Sequence, residues 1–392
     1  MKKNRIAAAL AATIVASGPA AAASFDDELA AIKARLNALE AQVRDQNAVI
    51  LEKDREISEL KAASNGEGDN ASGGWMQRVE IGGAVEIEAN HHSPYVGDNT
   101  SDVVVATAEI GIAAQINDWT SAEITLLYEE DDTPLEVDVA AVTFADPDAP
   151  WFIVAGRQYV PFGEFESNLV SDPLTLEIGE TRESAVLAGI ESNGFTAAAY
   201  VFNGDNKENG DDRIDNFGAT AGYSNEGENA AFSVSVGYIN DIGDSENLQE
   251  AINDNLGNND IADHVPGWTA AAQFSSGPFV VIGEYVTATD SFTMAELPFR
   301  TGGAQPSAFN VEAGYNFTLA GKPAVVALAY QGSDEALALE LPEKRIAAAI
   351  AVEVMDATTL SFEWARDDDY GVADGGTGER ANTATAQLAV EF

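Results

Sequence analysis

The chain contains no cysteine. Disulfides, thiolate nucleophiles and cysteine-held zinc or iron–sulfur sites are excluded with it, and so is a lipidated N-terminal cysteine. Bases are scarce: 20 Lys+Arg stand against 65 Asp+Glu, a formal net charge of −45 over 392 residues. Phosphate neutralisation needs clustered basic residues, so nucleic acid is excluded as a partner. The only histidines are His91, His92 and His264. All three fall in expected loops, and no metal site or cofactor is predicted. No Gly-rich phosphate cradle, nucleophile elbow or zinc-helix motif occurs. No histidine is placed on a strand facing a serine, so an enzyme is not expected. Beyond residue 23 there is no run of 18 apolar residues, which excludes a membrane-spanning helix there.

What is present divides the chain. Lys2, Lys3 and Arg5 precede an Ala/Ile/Leu/Val stretch ending in Ala21-Ala22-Ala23, which predicts a secretory signal over 1–23. Leu29, Leu36, Val43, Ile50 and Ile57 then repeat every seven residues, with Ile32, Leu39 and Leu60 at the second core position and Gln46 and Lys53 interrupting it. That spacing predicts a self-associating coiled coil over 24–62, the alternative being a single helix packed on a neighbouring surface; a homo-oligomer, a trimer, is expected. Residues 63–74, small, polar and glycine-rich, predict a flexible linker.

From residue 75 to 392 the period changes to two. Sixteen strands are predicted, at 78–90, 102–116, 119–129, 135–144, 151–160, 185–191, 195–202, 216–224, 230–240, 267–274, 278–288, 308–317, 323–332, 345–354, 358–366 and 382–392. In 230–240, Phe232, Val234, Val236 and Tyr238 oppose Ser233, Ser235 and Gly237. Lipid cannot hydrogen-bond a backbone, so only a closed barrel satisfies every strand. Short and long connections alternate, which sorts them to opposite rims as in outer-membrane barrels. Aromatic girdles are expected at both rims. Tyr128, Tyr159, Tyr200, Tyr238, Trp268, Tyr285, Tyr330 and Trp364 fall near the long-loop rim. Trp151, Tyr223, Phe232, Phe274, Phe279, Phe317 and Phe392 fall near the other. The fold class is thus an all-β membrane protein: a 16-stranded antiparallel transmembrane barrel behind a periplasmic coiled coil. Outer-membrane lipid is an expected partner; the terminal Phe392 resembles the closing residue of outer-membrane barrels, which implies the barrel-assembly machinery, reading the last strand, as another.

By parity the lumen is acidic. Glu80, Glu86, Glu88, Glu109, Glu123, Glu284, Glu312, Glu353 and Glu363 point inward, with Arg157 and Arg345 among few bases. Carboxylate rings favour cations, so a cation-preferring pore for small-molecule solutes is expected. The connection after the fifth strand, "PFGEFESNLVSDPLTLEIGETRESA", is long and patterned. Folded inward, it narrows the pore through Glu164, Glu166, Asp172, Glu177, Glu180, Arg182 and Glu183, and "LTLEIG" reads as a short extra strand. The alternative is an external loop lying over the rim. "DNKENGDDRIDN" (205–216) has the crowding of a calcium loop, with Lys207 at the third ligand position and Asn216 in place of the final Glu.

"GRQYVPFGEFES", Gly156 to Ser167, resembles the Gly-Arg…Pro-Phe-Gly element of the phosphate-selective porin O/P group. With the signal, the coiled coil, "VEIGGAVEIEAN" and a terminal Phe, the chain most resembles the LbtU-type siderophore porin family. That resemblance implies passage of iron-chelating siderophores across an outer membrane, and it transfers no binding residues. The lumen arginines and lysines of the phosphate porins are missing, which argues against phosphate selectivity. A structural tether, with the barrel as anchor for the coiled coil, is the other function in view. A gated transporter needs a plug domain, for which residues 24–75 are too few and too helical.

Overall fold

The structure, a computed structural model, describes residues 78–392 apart from 209, 211, 212 and 228. The signal, coiled coil and linker expected over 1–74 lie outside the described residues. Sixteen antiparallel strands close into a barrel. They are β1 (Val79–Ser93), β2 (Thr100–Asn117), β3 (Thr120–Tyr128), β4 (Glu136–Ala145), β5 (Trp151–Tyr159), β6 (Arg182–Ser192), β7 (Phe195–Phe202) and β8 (Asn216–Glu226), then β9 (Ala230–Ile239), β10 (Gly267–Ser276), β11 (Phe279–Ala288), β12 (Ser307–Leu319), β13 (Lys322–Asp334), β14 (Lys344–Met355), β15 (Thr358–Asp368) and β16 (Arg380–Glu391). Each expected strand is found, with ends shifted by a few residues. His91 and His92 therefore sit on β1, bonded to Ser101 and Thr383, rather than in a loop, and His91 does face a serine from a strand, which corrects the ground on which an enzyme was not expected.

The short rim is built by turn chemistry. Asn193-Gly194 and Ala320-Gly321 both carry positive φ (53° and 82°, 51° and 83°). Two such residues match the twist of paired strands, and glycine adopts the second at no steric cost. The barrel closes where β1 meets β16, in a register running from Ala84–Glu391 to Ser93–Asn382. Phe392 extends it: its N–H donates to the Gly83 carbonyl at 3.0 Å, and its carbonyl accepts from the Gly83 N–H at 3.0 Å.

Alternation sorts the faces. On β9, Phe232, Val234 and Val236 stand exposed on the outer wall, and Gly237 is buried. Aromatic contacts gather at both rims: Phe195–Tyr223 (4.5 Å), Tyr223–Phe232 (5.7 Å) and Phe279–Tyr315 (5.1 Å) at the short one, Tyr238–Trp268 (5.0 Å) and Phe309–Tyr330 (5.5 Å) at the long one. An amphipathic ring is favoured at such depths. Two girdle assignments fail. Tyr200 points inward and is 1% exposed, its ring packed over the unsubstituted Gly218. Tyr159 turns its hydroxyl onto Asp138 at 2.8 Å.

The interior is not uniformly watery. Phe162, Leu174, Ile178, Tyr200, Phe202, Ile239, Ile242, Leu248, Ile252, Val286 and Leu297 form one buried apolar cluster. Its members come from β7, β9 and β11 and from the long connections after β5, β9 and β11. One side of the barrel is therefore packed like a soluble core. Sixteen strands alone leave room for a water-filled channel; this lumen is partly filled by its own loops.

Candidate functional site

The filling begins with the connection between β5 and β6, residues 160–181, here called the strap. Its entry explains the Gly156–Ser167 motif. Gly156 has φ 139°, and a Cβ there would lie 2.1 Å from the Ala140 carbonyl oxygen, so only glycine fits. The Val160 N–H donates to the Thr181 carbonyl at 2.9 Å and closes the neck. Phe162 is buried, and Gly163 lies under the ring of Phe165, which itself has φ 53°. "LTLEIG" is not a strand: Leu176–Gly179 form one helical turn, α1, with Ile178 and Gly179 buried. A segment buried on one side only, between the wall and the long loops, gains nothing from strand geometry without a partner strand.

Three inward carboxylates hold the strap against the wall. Glu284 on β11 accepts from the N–H groups of Glu164 (2.9 Å) and Phe165 (3.0 Å) and from the Thr175 hydroxyl (3.2 Å). Glu312 on β12 accepts from Ser167 Oγ (2.8 Å), Asn168 N (2.9 Å) and Asn168 Nδ2 (2.6 Å). Glu363 on β15 accepts from Val170 N (2.5 Å), Ser171 N (3.2 Å) and Ser171 Oγ (2.6 Å). Charge-assisted bonds of this kind are the strong ones. All three carboxylates are buried. They face inward as parity requires, but they are anchors for the strap backbone and not part of an open carboxylate ring. Gln331 on β13, which sequence reasoning passed over, is a fourth: its Oε1 accepts from Leu174 N at 3.1 Å. Its signal was a lone amide on the inward face of an Ala-rich strand.

A second group stands where the strap leaves. Arg182, at the start of β6, bonds Glu136 (2.7 Å), Asp138 (2.7 Å) and Glu246 (2.8 Å). Glu246 opens the helix α2 (Glu246–Leu256), whose first N–H donates to the Glu180 carbonyl at 3.0 Å. Asn247 Nδ2 donates to Glu177. Arg157 stands 4.0 Å from Glu136. Arg345, on β14, is bound bidentately by Asp367 (2.8 and 3.1 Å). Of the lumen arginines, Arg182 and Arg345 are therefore already paired, while Arg157 has the longer contact with Glu136.

The open space beside the strap is acid-lined. A cavity of 460 Å³ is bordered by Tyr159, Glu164, Glu166, Asp172 and Glu180, and one of 230 Å³ by Glu129, Asp172, Glu177, Glu180, Arg182 and Glu246. Burial raises the carboxyls of Asp172, Glu177 and Glu246, and like charges in the same space add to the effect at each. Glu180 is pushed up to about 8 by burial, then by Glu246 and Asp172, with Arg182 opposing. Near the short rim a recess of 520 Å³ is lined by Glu80, Glu109, Glu123 and Glu391. Glu86 and Glu88 share Gln387 Nε2 (3.1 and 3.0 Å), and Glu353 lies half-buried opposite Thr359. Glu183 is the misplaced member of the expected set. It belongs to β6, buried beside Asp205 and Asp244, because β6 begins three residues earlier than the sequence pattern indicates.

No family model matches the chain. It is 27% identical over 305 residues to a UPF0422 protein of Coxiella burnetii, covering 75% of this chain and 65% of that one. It is 28% identical over 366 residues to the UPF0422 protein lpl2888 of Legionella pneumophila, covering 81% and 67%. The chain thus spans about two thirds of the length of these curated relatives. Among solved structures, the outer membrane channel DcaP of Acinetobacter baumannii superposes with TM-score 0.56 at 16% identity, over 83% of this chain and 99% of that one. An anion-selective porin from Comamonas acidovorans gives 0.56 at 12%, over 80% and 99%. Salmonella typhi OmpF, solved with daunomycin, gives 0.57 at 13%, over 80% and 97%. The fold is that of a sixteen-stranded outer-membrane porin.

Proposed function

We propose that the chain is an outer-membrane diffusion channel, narrowed by its strap, that passes small solutes and prefers cations. The observation that carries this reading is the pairing state of the lumen charges. Arg182 and Arg345 are saturated by carboxylates and Arg157 stands 4.0 Å from Glu136, while Asp172, Glu177 and Glu180 face open space. The superposed channel and porins support passage of solutes; their own selectivities do not carry over, and the porin from Comamonas is anion-selective. Reversal potentials of the purified protein in planar bilayers under a salt gradient test it. A potential of the cation-selective sign is expected, and a clear anion preference overturns the reading. Liposome swelling with neutral sugars separates a channel from a sealed structural anchor, which passes none.

Iron–siderophore chelates are the narrower cargo we attach to this channel. The resemblance to the LbtU-type siderophore porin family, carried by Gly156–Ser167 together with "VEIGGAVEIEAN" and the terminal Phe, supports them, and the acidic lumen restricts them to neutral or positively charged complexes. Deletion of the gene followed by iron-limited growth on defined siderophores is the test; unchanged uptake removes this cargo and leaves the general channel. The same reading expects a trimer and recognition of the closing strand by the barrel-assembly machinery.

A further inference from the structure

On the long-loop side, the connection between β7 and β8 (203–215) meets the turn that follows β9. Lys207–Glu208 pair in parallel with Asp260–Ile261, which ties the two connections together. Beneath that tie lie Asp241 and Asp244, both buried, one turn of chain apart. Asp244 accepts from Asn206 N at 2.9 Å through one oxygen and from Asn216 Nδ2 at 2.6 Å through the other. Asp241 Oδ1 accepts from Gly243 N (3.0 Å) and Val265 N (3.2 Å).

The rest of this cluster lacks protein partners. Asp241 Oδ2 is buried with no hydrogen bond, and so are both amide atoms of Asn206 and the Ser245 hydroxyl. Asn206 is 4% exposed and Asp241 0%. The two side chains converge: Asp241 Oδ1 and Asn206 Nδ2 lie 3.0 and 3.1 Å from the point where Gly243 would carry a Cβ. The largest charge effects on Asp241 come from Asp244 and Glu296, and the largest on Asp244 from Asp205 and Asp215. Glu183 stands beside the same group. Buried carboxylates with like-charged neighbours and unmade bonds are costly unless a cation joins them. Among the described residues no set of three or more His, Cys, Asp or Glu has metal-holding geometry. The cluster here is of another kind, two carboxylates with an amide, whose oxygen and nitrogen exchange places by a simple flip.

We propose that Asp241, Asp244 and Asn206 bind a hard divalent cation of calcium's size, which staples the β7–β8 connection to the turn after β9. Calcium accepts irregular sets of carboxylate, amide and water oxygens, whereas magnesium demands a near-octahedral one. The site lies outside the strap cavities and is independent of the selectivity proposed above.

The test is calcium titration of the full chain, refolded in detergent, by calorimetry and by sensitised terbium luminescence. Thermal unfolding in calcium and in chelator accompanies it. One saturable site is expected, with Kd on the order of 10⁻⁴–10⁻³ M as in extracellular modules, weaker for magnesium, and with a higher unfolding temperature in calcium. Asp241→Asn and Asn206→Ala should weaken it at least about tenfold, while Asp254→Asn, exposed on α2, should leave it intact. Asn206→Asp provides the converse arm, with tighter calcium binding and lower stability in chelator; it decides the matter if Asp241→Asn does not fold. Absence of saturable calcium binding, or binding that survives both Asp241→Asn and Asn206→Ala, overturns the proposal. So does an Asp241→Asn protein that is equally stabilised by calcium.

Discussion

Removing the Glu284 carboxylate should release the strap without opening the barrel. Glu284 ties down two points of the strap at once, the Glu164–Phe165 backbone and Thr175. A hydrogen bond to a charged group contributes about 1.5–3 kcal/mol net. Three such bonds to one carboxylate are not additive, and the freed N–H groups regain water in an aqueous lumen. A loss of about 3–4 kcal/mol in strap docking follows from those terms. At about 1.4 kcal/mol per decade, the detached population rises by roughly 10²–10³.

The chain offers a clean reporter because it has no cysteine. Val286 lies on the same face of β11, fully buried, with its Cγ2 3.3 Å from where Gly179 of the strap would carry a Cβ. Val286→Cys is close to isosteric and should react with a water-soluble thiol reagent only when the strap lifts. In the Glu284→Ala background the labelling rate should rise by about 10²–10³ if closing is fast. Glu284→Gln, which keeps one acceptor oxygen, should give a smaller rise. Single-channel conductance should increase and become noisier. Glu123→Gln, in the recess near the short rim, should leave labelling unchanged. A change of less than tenfold in a folded Glu284→Ala barrel refutes the assignment of Glu284 as an anchor.

Other consequences are more direct. Arg182→Ala leaves Glu136, Asp138 and Glu246 facing one another without their shared cation. With Glu136 and Glu246 partly solvated, a loss of about 2–4 kcal/mol is expected, read as lower denaturant resistance of the refolded protein. Gly156→Ala places a methyl 2.1 Å from the Ala140 carbonyl oxygen at φ 139°, so folded yield should fall sharply, whereas Gly302→Ala, in open space, should not matter. Cation preference should grow with pH. Glu180 is neutral below its value of about 8 and charged above it, so the permeability ratio should climb from pH 6 to pH 9, and Glu180→Gln should flatten the climb. For stability the sign is opposite: an acid raised on folding is destabilising when ionised, and acidification through that range adds stability.

The barrel was legible because an apolar outer wall and a polar inner one write themselves into every second residue. Strand number, turn rim and closure all follow from that period. Tyr159 and Tyr200 escaped for different reasons. Gly156, at φ 139°, interrupts β5 three residues before Tyr159, and Tyr200 stands on the inward parity of β7, between exposed Ala199 and Val201, where its ring is no part of a girdle. Glu183 escaped for a related reason, since β6 starts earlier than its apolar run. The candidate site was half legible. Parity placed Glu284, Glu312 and Glu363 on the inner wall, but whether an inward carboxylate meets water or a backbone N–H depends on a partner more than a hundred residues away.

That distinction changes how charge in the lumen is to be counted. A carboxylate satisfied by two or three N–H and O–H donors has its lone pairs committed and its field partly cancelled by the dipoles it holds. Glu284, Glu312 and Glu363 therefore fix where the strap lies and should add little to selectivity. On the proposed reading, the residues that select are those the strap itself carries into the space it narrows, Asp172, Glu177 and Glu180, because they line the open cavity beside other carboxylates. Neutralising an anchor should alter conductance and strap mobility first; neutralising a strap acid should alter the reversal potential first. If both classes of variant moved selectivity equally, the lumen would be behaving as a sum of its formal charges, and the division of labour between wall and strap would be wrong.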